Sequence, residues 1–200
     1  MMQSCKDIPY WHSNVKKTNI QNNIFPKSVD IVVIGAGFTG LATALHLLRS
    51  GKTVALFDAM KIGDGASGKN GGMVGPSLHK LGLDGLSKKY GKNKALEILQ
   101  EGMNAIAYFK EFIANENLDC DFKMTGRFRG ITNLKALDGV ISDCKKLMVL
   151  KGFNFKIVAK ENIHTEIGSD LYHGGIIYPQ DGGLHPFKLQ MGLADKVVKL

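Results

Sequence analysis

Cysteine and arginine are scarce in this sequence, and each scarcity closes off a class of protein. The three cysteines, Cys5, Cys120 and Cys144, are odd in number and far apart. With no C-x-x-C pair they indicate neither a disulfide framework nor a zinc site, and they read as reduced thiols of a cytoplasmic protein. Arginine occurs only at Arg49, Arg127 and Arg129. The net charge of +8 therefore rests on lysines scattered singly or in pairs, as at Lys16-Lys17 and Lys88-Lys89. That distribution fits a solvated surface better than a nucleic-acid interface, so no nucleic-acid partner is expected. No apolar run is long enough for a membrane span, and Met1 to Asn14 contains no signal-like apolar stretch. The histidines His12, His46, His79, His164, His173 and His185 show no H-E-x-x-H or other ligand spacing, and no serine sits in a G-x-S-x-G turn. Metal binding and acyl transfer are accordingly not expected.

What the sequence does have is glycine: 24 against only 5 prolines, gathered into short runs. Such runs mark backbone that must approach something closely. Hydrophobic residues at 44% and charged residues at 22% are ordinary for a chain with a buried core, and they exclude disorder and collagen-like repeats. Residues 1–28 are polar and lack periodicity, an irregular arm with Tyr10 and Trp11 as its large anchors. From Val29 to Ile34 a β-branched run reads as a strand buried on both faces. Leu41, Leu45 and Leu48 then recur at helical spacing as far as Gly51, and Thr53 to Phe57 reads as a second strand. A strand, a helix and a strand joined by tight turns imply a parallel pair.

Further along, Leu96, Leu99, Met103, Ile106, Phe109 and Ile113 predict a long amphipathic helix with Asn93 as a candidate cap. Asp121 to Thr132 suggests a hairpin or an edge strand. Leu134 to Met148 forms a helix opened by Asn133. Phe153 to Val158 and Leu171 to Tyr178 read as strands, and Pro186 starts a final helix.

The first glycine cluster, Gly35-Ala36-Gly37-Phe38-Thr39-Gly40, is a G-x-G-x-x-G between a strand and a helix. Gly35 allows the sharp turn, Gly37 lets a pyrophosphate reach the main chain, and Gly40 lets helix and sheet pack closely. The helix N-terminus adds free N–H groups and the positive end of a dipole. The second strand ends at Asp58, where a carboxylate is expected to accept the ribose hydroxyls. A carboxylate at that point favours FAD or NAD over NADP. The second cluster runs from Gly63 to Met73, with Ser67 as a candidate helix cap and Lys69 as a cation. A backbone with so little side-chain bulk can lie flat against a large cofactor. A plain NAD domain has no need of it, and the alternative is a surface loop. Asp181 and His185, four apart, are readable as an acid/base pair, but their position before Pro186 makes helix capping the simpler explanation.

The stretches DIVVIGAGFTGLATALHL, GASGKNGGMV and DGGLHPFKLQMGLA resemble the FAD-dependent oxidoreductases of the DAO type, the family of D-amino-acid and amine oxidases. The Pro9-Tyr10-Trp11 arm is similar to that of its gamma-glutamylputrescine oxidoreductase-like branch. The resemblance implies that Gly35, Ala36, Gly37, Phe38, Thr39 and Gly40 hold the FAD pyrophosphate and that Asp58, with Ala59 beside it, holds the adenosine ribose. It also implies that Ala66, Ser67, Gly68, Lys69, Asn70, Gly71 and Gly72 line the ribityl and isoalloxazine side. Asp181, His185 and Pro186 match a loop and helix start of the family. Three positions depart from its pattern: Asp58 stands for the commoner Glu, Lys69 for an Arg, and Met73 for a polar residue.

The expected fold is α/β: an FAD-binding Rossmann-like parallel sheet with helices, interrupted by an α+β substrate region and truncated relative to the family. Its expected divisions are the arm 1–28, the FAD-binding unit 29–85, a partial substrate region 86–178 and a returning segment 179–200. The implied activity is oxidation of the C–N bond of a small-molecule amine or amino acid by hydride transfer to flavin. No catalytic residue is nominated. Two alternatives stand beside it: an inactive fragment of such an enzyme, with a separately encoded carboxy-terminal half as its partner, and an NAD-binding domain.

Overall fold

A computed structural model of the chain describes residues 8–13, 15–18, 26–76, 78 and 80–200. Cys5 and His79, named above, lie outside the described residues. The chain divides into two compact units, one made of residues 1–72, 117–122 and 184–200 and the other of 73–116 and 123–183.

The first unit is built on β1 (Ile31–Ile34) and β2 (Val54–Phe57), which pair in parallel with Ile31 opposite Val54 and Ile34 opposite Phe57. The crossover between them is α1 (Phe38–Arg49), stopped by Ser50 and by Gly51 at φ +77°. Asp30 and Thr53 lock the starts of the two strands together. The Thr53 hydroxyl accepts the Asp30 N–H at 2.9 Å, while the Asp30 carboxylate accepts the Thr53 N–H at 2.8 Å. The Thr53 backbone N–H, and then its hydroxyl, hold the Asp30 pKa below the usual carboxylate value. The core of this unit is the seam between α1 and the last helix, α5 (Pro186–Val198). Leu41, Ala44 and Leu45 of α1 are buried, as are Phe187, Leu189 and Leu193 of α5. Each large side chain removed from water there stabilises the fold by about 1.5–3 kcal/mol. The expectation of a strand buried on both faces is corrected here. Alternate residues of β1 are covered, whereas Val32 is 54% and Ile34 77% exposed, because the parallel sheet has only two strands among the described residues.

The second unit contains β3 (Met73–Val74), α2 (Gly82–Tyr90), α3 (Lys92–Asn115), β4 (Arg127–Ile131), α4 (Leu134–Leu147), β5 (Lys156–Ala159), β6 (Gly174–Tyr178) and β7 (Gly182–Gly183). Strands β4, β6 and β5 form an antiparallel sheet in that order, and β3 pairs antiparallel with β7. Leu99 and Met103 of α3, Cys144 of α4, and Ile176 and Tyr178 of β6 share one core. Inside it the Cys144 sulfur lies 3.5 Å from the Tyr178 hydroxyl. Burial, and after it the neighbouring thiol, pushes the Tyr178 pKa up to about 12.

Here too several sequence expectations are corrected. Of the two readings of segment 121–132, the edge strand holds: β4 is an edge strand paired with distant β6, and Asn133 caps α4 directly after it. Asn93 is no cap but lies inside α3, which is entered from Gly91 at φ +83°. The strand read at 153–158 runs at Lys156–Ala159, and the one read from Leu171 begins at Gly174. Helix α2 was hidden by Gly82 and Gly85, residues that weaken helical signal.

Candidate dinucleotide-binding site

Strand β1 ends where the Gly35 N–H meets the Phe57 carbonyl, and Gly35 then turns the chain at φ +100°, open only to glycine at low cost. The helix that follows sits very close. A Cβ on Gly40 would come within 1.7 Å of the Gly35 carbonyl oxygen, so glycine is what lets α1 start directly on the turn. Gly37 is the N-cap and supplies no side-chain cap. The first N–H groups of a helix have no partner within the helix, and here one of them, that of Phe38, is taken by the Ser67 Oγ at 3.0 Å.

Asp58, the first residue after β2, bends back onto this turn. Its Oδ2 accepts the Ala36 N–H at 2.6 Å and its Oδ1 accepts the Met60 N–H at 2.8 Å. The Met60 N–H first, and the Ala36 N–H second, lower its pKa, so the group is a fixed carboxylate. Each oxygen keeps a lone pair for a further hydrogen bond. Asp58 also lines a cavity of about 650 Å³, together with Ala36, Ala59, Met60, Leu41 and Leu56, and with Met191 and Ala194 of α5 on another wall. That volume lies within the range of small-molecule and cofactor sites. The turn can therefore offer helix N–H groups to an anion, and the carboxylate can accept two hydroxyls beside an apolar recess.

The second glycine cluster folds around Asn70. Its Nδ2 donates to the Ser67 carbonyl at 2.9 Å and to the Ala66 carbonyl at 3.3 Å, and its Oδ1 accepts the Gly72 N–H at 2.8 Å. Ala66–Gly68 forms a 3-10 turn, and the Gly72 carbonyl accepts the Leu184 N–H at 2.9 Å. The structure thus joins the Gly35–Gly40 turn, Asp58 and Ser67 through hydrogen bonds, and places Ala36, Asp58 and Ala59 on one cavity. Residues Ala66, Ser67, Gly68, Lys69, Asn70, Gly71 and Gly72 do not line that cavity, and Lys69 and Gly71 are exposed. Ser67 caps α1 rather than its own turn, whose N-cap is Gly65. His185 caps α5, its Nδ1 accepting the Lys188 N–H at 3.2 Å, whereas Asp181 is paired with Arg127. A helix cap occupies His185 and an ion pair occupies Asp181, and neither side chain is engaged with the other as an acid/base pair.

One residue escaped the sequence reading. Gln190 is 2% exposed and donates from Nε2 to the Ala36 carbonyl at 2.8 Å. Its Oε1 is buried without a partner among the described residues. Its signal was available as a lone carboxamide between Leu189 and Met191 in an otherwise apolar stretch of α5. Ala36 is thereby gripped on both sides, by Asp58 at its N–H and by Gln190 at its carbonyl.

The donor set fits a dinucleotide: free helix N–H groups over a glycine that a side chain would obstruct, an ionised carboxylate, an apolar recess, and an orphaned buried amide oxygen behind the turn. Comparison with known proteins agrees. Residues 30–200 match the DAO family model, described as FAD dependent oxidoreductase. The chain is 33% identical over 172 residues to the probable oxidoreductase OrdL of Haemophilus influenzae, covering 86% of this chain and 39% of that protein. It is 31% identical over 168 residues to gamma-glutamylputrescine oxidoreductase of Escherichia coli, covering 84% of this chain and 39% of that protein. Among solved structures, L-amino acid deaminase from Proteus myxofaciens shares the fold with a TM-score of 0.72 at 17% identity, over 94% of this chain and 40% of that one. The chain spans about two fifths of the length of the curated relatives it matches. With its turn, carboxylate and glycine loop in that order, and with the family model matching from Asp30 to Leu200, the chain belongs to the DAO family of FAD-dependent oxidoreductases.

Proposed function

We propose that this chain holds FAD and serves the oxidation of the C–N bond of a small amine or amino acid. The observation that carries the reading is the Asp58–Ala36 contact at 2.6 Å, which holds a cavity-lining carboxylate beside the start of the first helix. In this reading the N–H groups of Gly37, Thr39 and Gly40 bind the pyrophosphate. Asp58 accepts the ribose hydroxyls, and Ala59 and the apolar wall receive the adenine. Ala66 to Gly72, with Lys69 as a nearby cation, face the ribityl and flavin end. When bound, FAD supplies the acceptor for the hydride that leaves the carbon next to nitrogen. The substrate class is supported by the names of relatives, gamma-glutamylputrescine oxidoreductase and L-amino acid deaminase. Buried Cys120 and Cys144, both free thiols, suit a reducing compartment such as the cytoplasm.

The test is an absorbance spectrum of the purified protein after free cofactor is removed. Flavin bands at one equivalent per chain are the expected result. A protein that takes up NADH and refuses FAD overturns the reading in favour of an NAD domain.

A second reading, cofactor binding without turnover by this chain alone, is favoured by the bare sheet face at Val32 and Ile34. Exposed apolar residues on a two-stranded parallel sheet fit a surface completed by other polypeptide, such as a separately encoded carboxy-terminal half. Anaerobic addition of amine and amino-acid substrates to the flavin-loaded chain separates the two, since only the first reading predicts bleaching of the flavin bands.

A further inference from the structure

Lys17 and Thr18 of the amino-terminal arm line the cavity beside Asp58, and an earlier stretch of the arm is fastened to the second glycine cluster. Tyr10–His12 forms a 3-10 turn, and the Trp11 indole Nε1–H donates to the Asn70 carbonyl at 2.7 Å. The same indole packs edge-on against the His185 ring, with centroids 4.8 Å apart, and the His12 ring stacks on Phe187 at 4.1 Å. Phe187 in turn fills the space where a Cβ on Gly63 would stand. The arm therefore ties the two ends of the Gly63–Gly72 loop to the start of α5.

The Trp11 contact has a directional consequence. The Asn70 carbonyl and the Gly71 N–H belong to one peptide plane, and in a trans peptide the two groups point opposite ways. Cis peptides are absent among the described residues, so fixing the carbonyl toward Trp11 aims the Gly71 N–H away from the arm. That N–H has no hydrogen-bond partner among the described residues, Gly71 is exposed, and the position its Cβ would take has no atom within 4 Å.

We propose that Trp11 is a positioning residue that holds the Asn70–Gly71 peptide so that its N–H is presented to an acceptor at the flavin end of the cofactor. This rests on the FAD reading above. Trp11 touches no part of the adenylate site, where Asp58 and the Gly35–Gly40 turn operate, so its effect is confined to the flavin half of the molecule.

The experiment compares the unaltered protein with Trp11→Phe, which keeps an aromatic ring against His185 and loses only the donor. Tyr10→Ala serves as the control, since it removes an 82% exposed ring that packs edge-on against Trp11 and leaves the indole donor in place. Three quantities are read: amide exchange at Gly72 in the cofactor-free protein, the affinity for ADP, and the affinity for FAD. Trp11→Phe is expected to speed exchange at the Gly72 amide, which the Asn70 side chain and burial protect, to leave ADP affinity unchanged, and to weaken FAD about five- to tenfold, the effect of one lost hydrogen bond. Unchanged exchange together with unchanged FAD affinity overturns the proposal. So does an equal loss of ADP and FAD, which marks general destabilisation. If the unaltered protein binds neither nucleotide, it is the flavin reading that fails, and with it the cofactor role of the peptide. The exchange data then still decide whether Trp11 orders the loop.

Discussion

The hydroxyl of Ser67 accepts the N–H of Phe38 at 3.0 Å, although the two residues stand 29 positions apart. This single bond couples the two glycine clusters, one of which starts α1 while the other folds around Asn70. It also fills one of the four N–H positions that an α-helix leaves open at its start, and so restricts any anion to the remaining ones.

Replacing Ser67 by Ala removes that acceptor while keeping the backbone. The expected loss is about 1 kcal/mol of stability, the ordinary cost of losing a side-chain cap. Ser67→Thr keeps a hydroxyl and is expected to lose less. Urea denaturation of the three proteins checks this, and equal midpoints for Ala and wild type would show that the bond contributes nothing.

Gly37 and Gly40 sit three positions apart and are expected to fail in different ways. A Cβ on Gly40 meets the Gly35 carbonyl at 1.7 Å, a clash with backbone that no rotamer relieves. Gly40→Ala is therefore expected to cost about 3 kcal/mol or more. On Gly37, at φ −77°, the nearest atom is the Ser67 hydroxyl at 3.0 Å, so Gly37→Ala is expected to cost about 1 kcal/mol or less. Its methyl nevertheless stands over the helix N-terminus, where it would block a pyrophosphate. Thermal melts and FAD titration separate the two: Gly40→Ala loses the fold, Gly37→Ala keeps the fold and loses the cofactor.

These contrasts show what the sequence could and could not reveal. The Gly35–Gly40 turn and Asp58 were legible because their signals are local: a β-branched run, three spaced glycines, and an acid at the end of the next strand. The contacts of Gln190 and of Trp11 were not, because their partners Ala36 and Asn70 lie 154 and 59 positions away. No periodicity encodes such a contact. Helix α2 was missed for a different reason, since it carries Gly82 and Gly85, and its stability comes from packing against α3 rather than from propensity. Likewise the sequence marked Asn93 as a cap, but Gly91 reaches positive φ and turns the chain into α3 two residues earlier.

Asp58 offers a prediction about charge. In Asp58→Asn the amide keeps one acceptor oxygen, and its NH2 must face either the Ala36 or the Met60 N–H. ADP affinity is expected to fall about tenfold or more, as befits losing a charged acceptor. Asp58→Glu keeps the charge with one more methylene of reach and is expected to bind ADP. The lowered pKa adds a pH dependence. Stability from the ionised form is complete above the unfolded carboxylate value of about 3.9 and is lost as pH falls through the folded one. Calorimetric ADP titration of the three proteins tests the charge argument, and undiminished binding by Asp58→Asn would remove Asp58 from the nucleotide site.

His185 gives the opposite pH window. Its Nδ1 accepts the Lys188 N–H at the start of α5, which requires that nitrogen to be unprotonated. Burial lowers its pKa below 6.5, and the Lys188 ammonium lowers it further against a smaller opposing effect of Asp121, which Lys188 itself contacts at 2.9 Å. The unfolded chain therefore takes up a proton near its ordinary value while the folded one still resists it. More protons on the unfolded side mean that stability rises with pH through this window. The contribution is whole above pH 6.5, falls as the solution is acidified below it, and levels off beneath the folded pKa. His185→Asn retains a capping acceptor without a titrating ring, so its melting temperature is expected to be flatter between that folded pKa and neutrality. Melting curves of the pair from acid to neutral pH measure it directly: parallel profiles would mean that the ring at the helix start is not the group that senses protons.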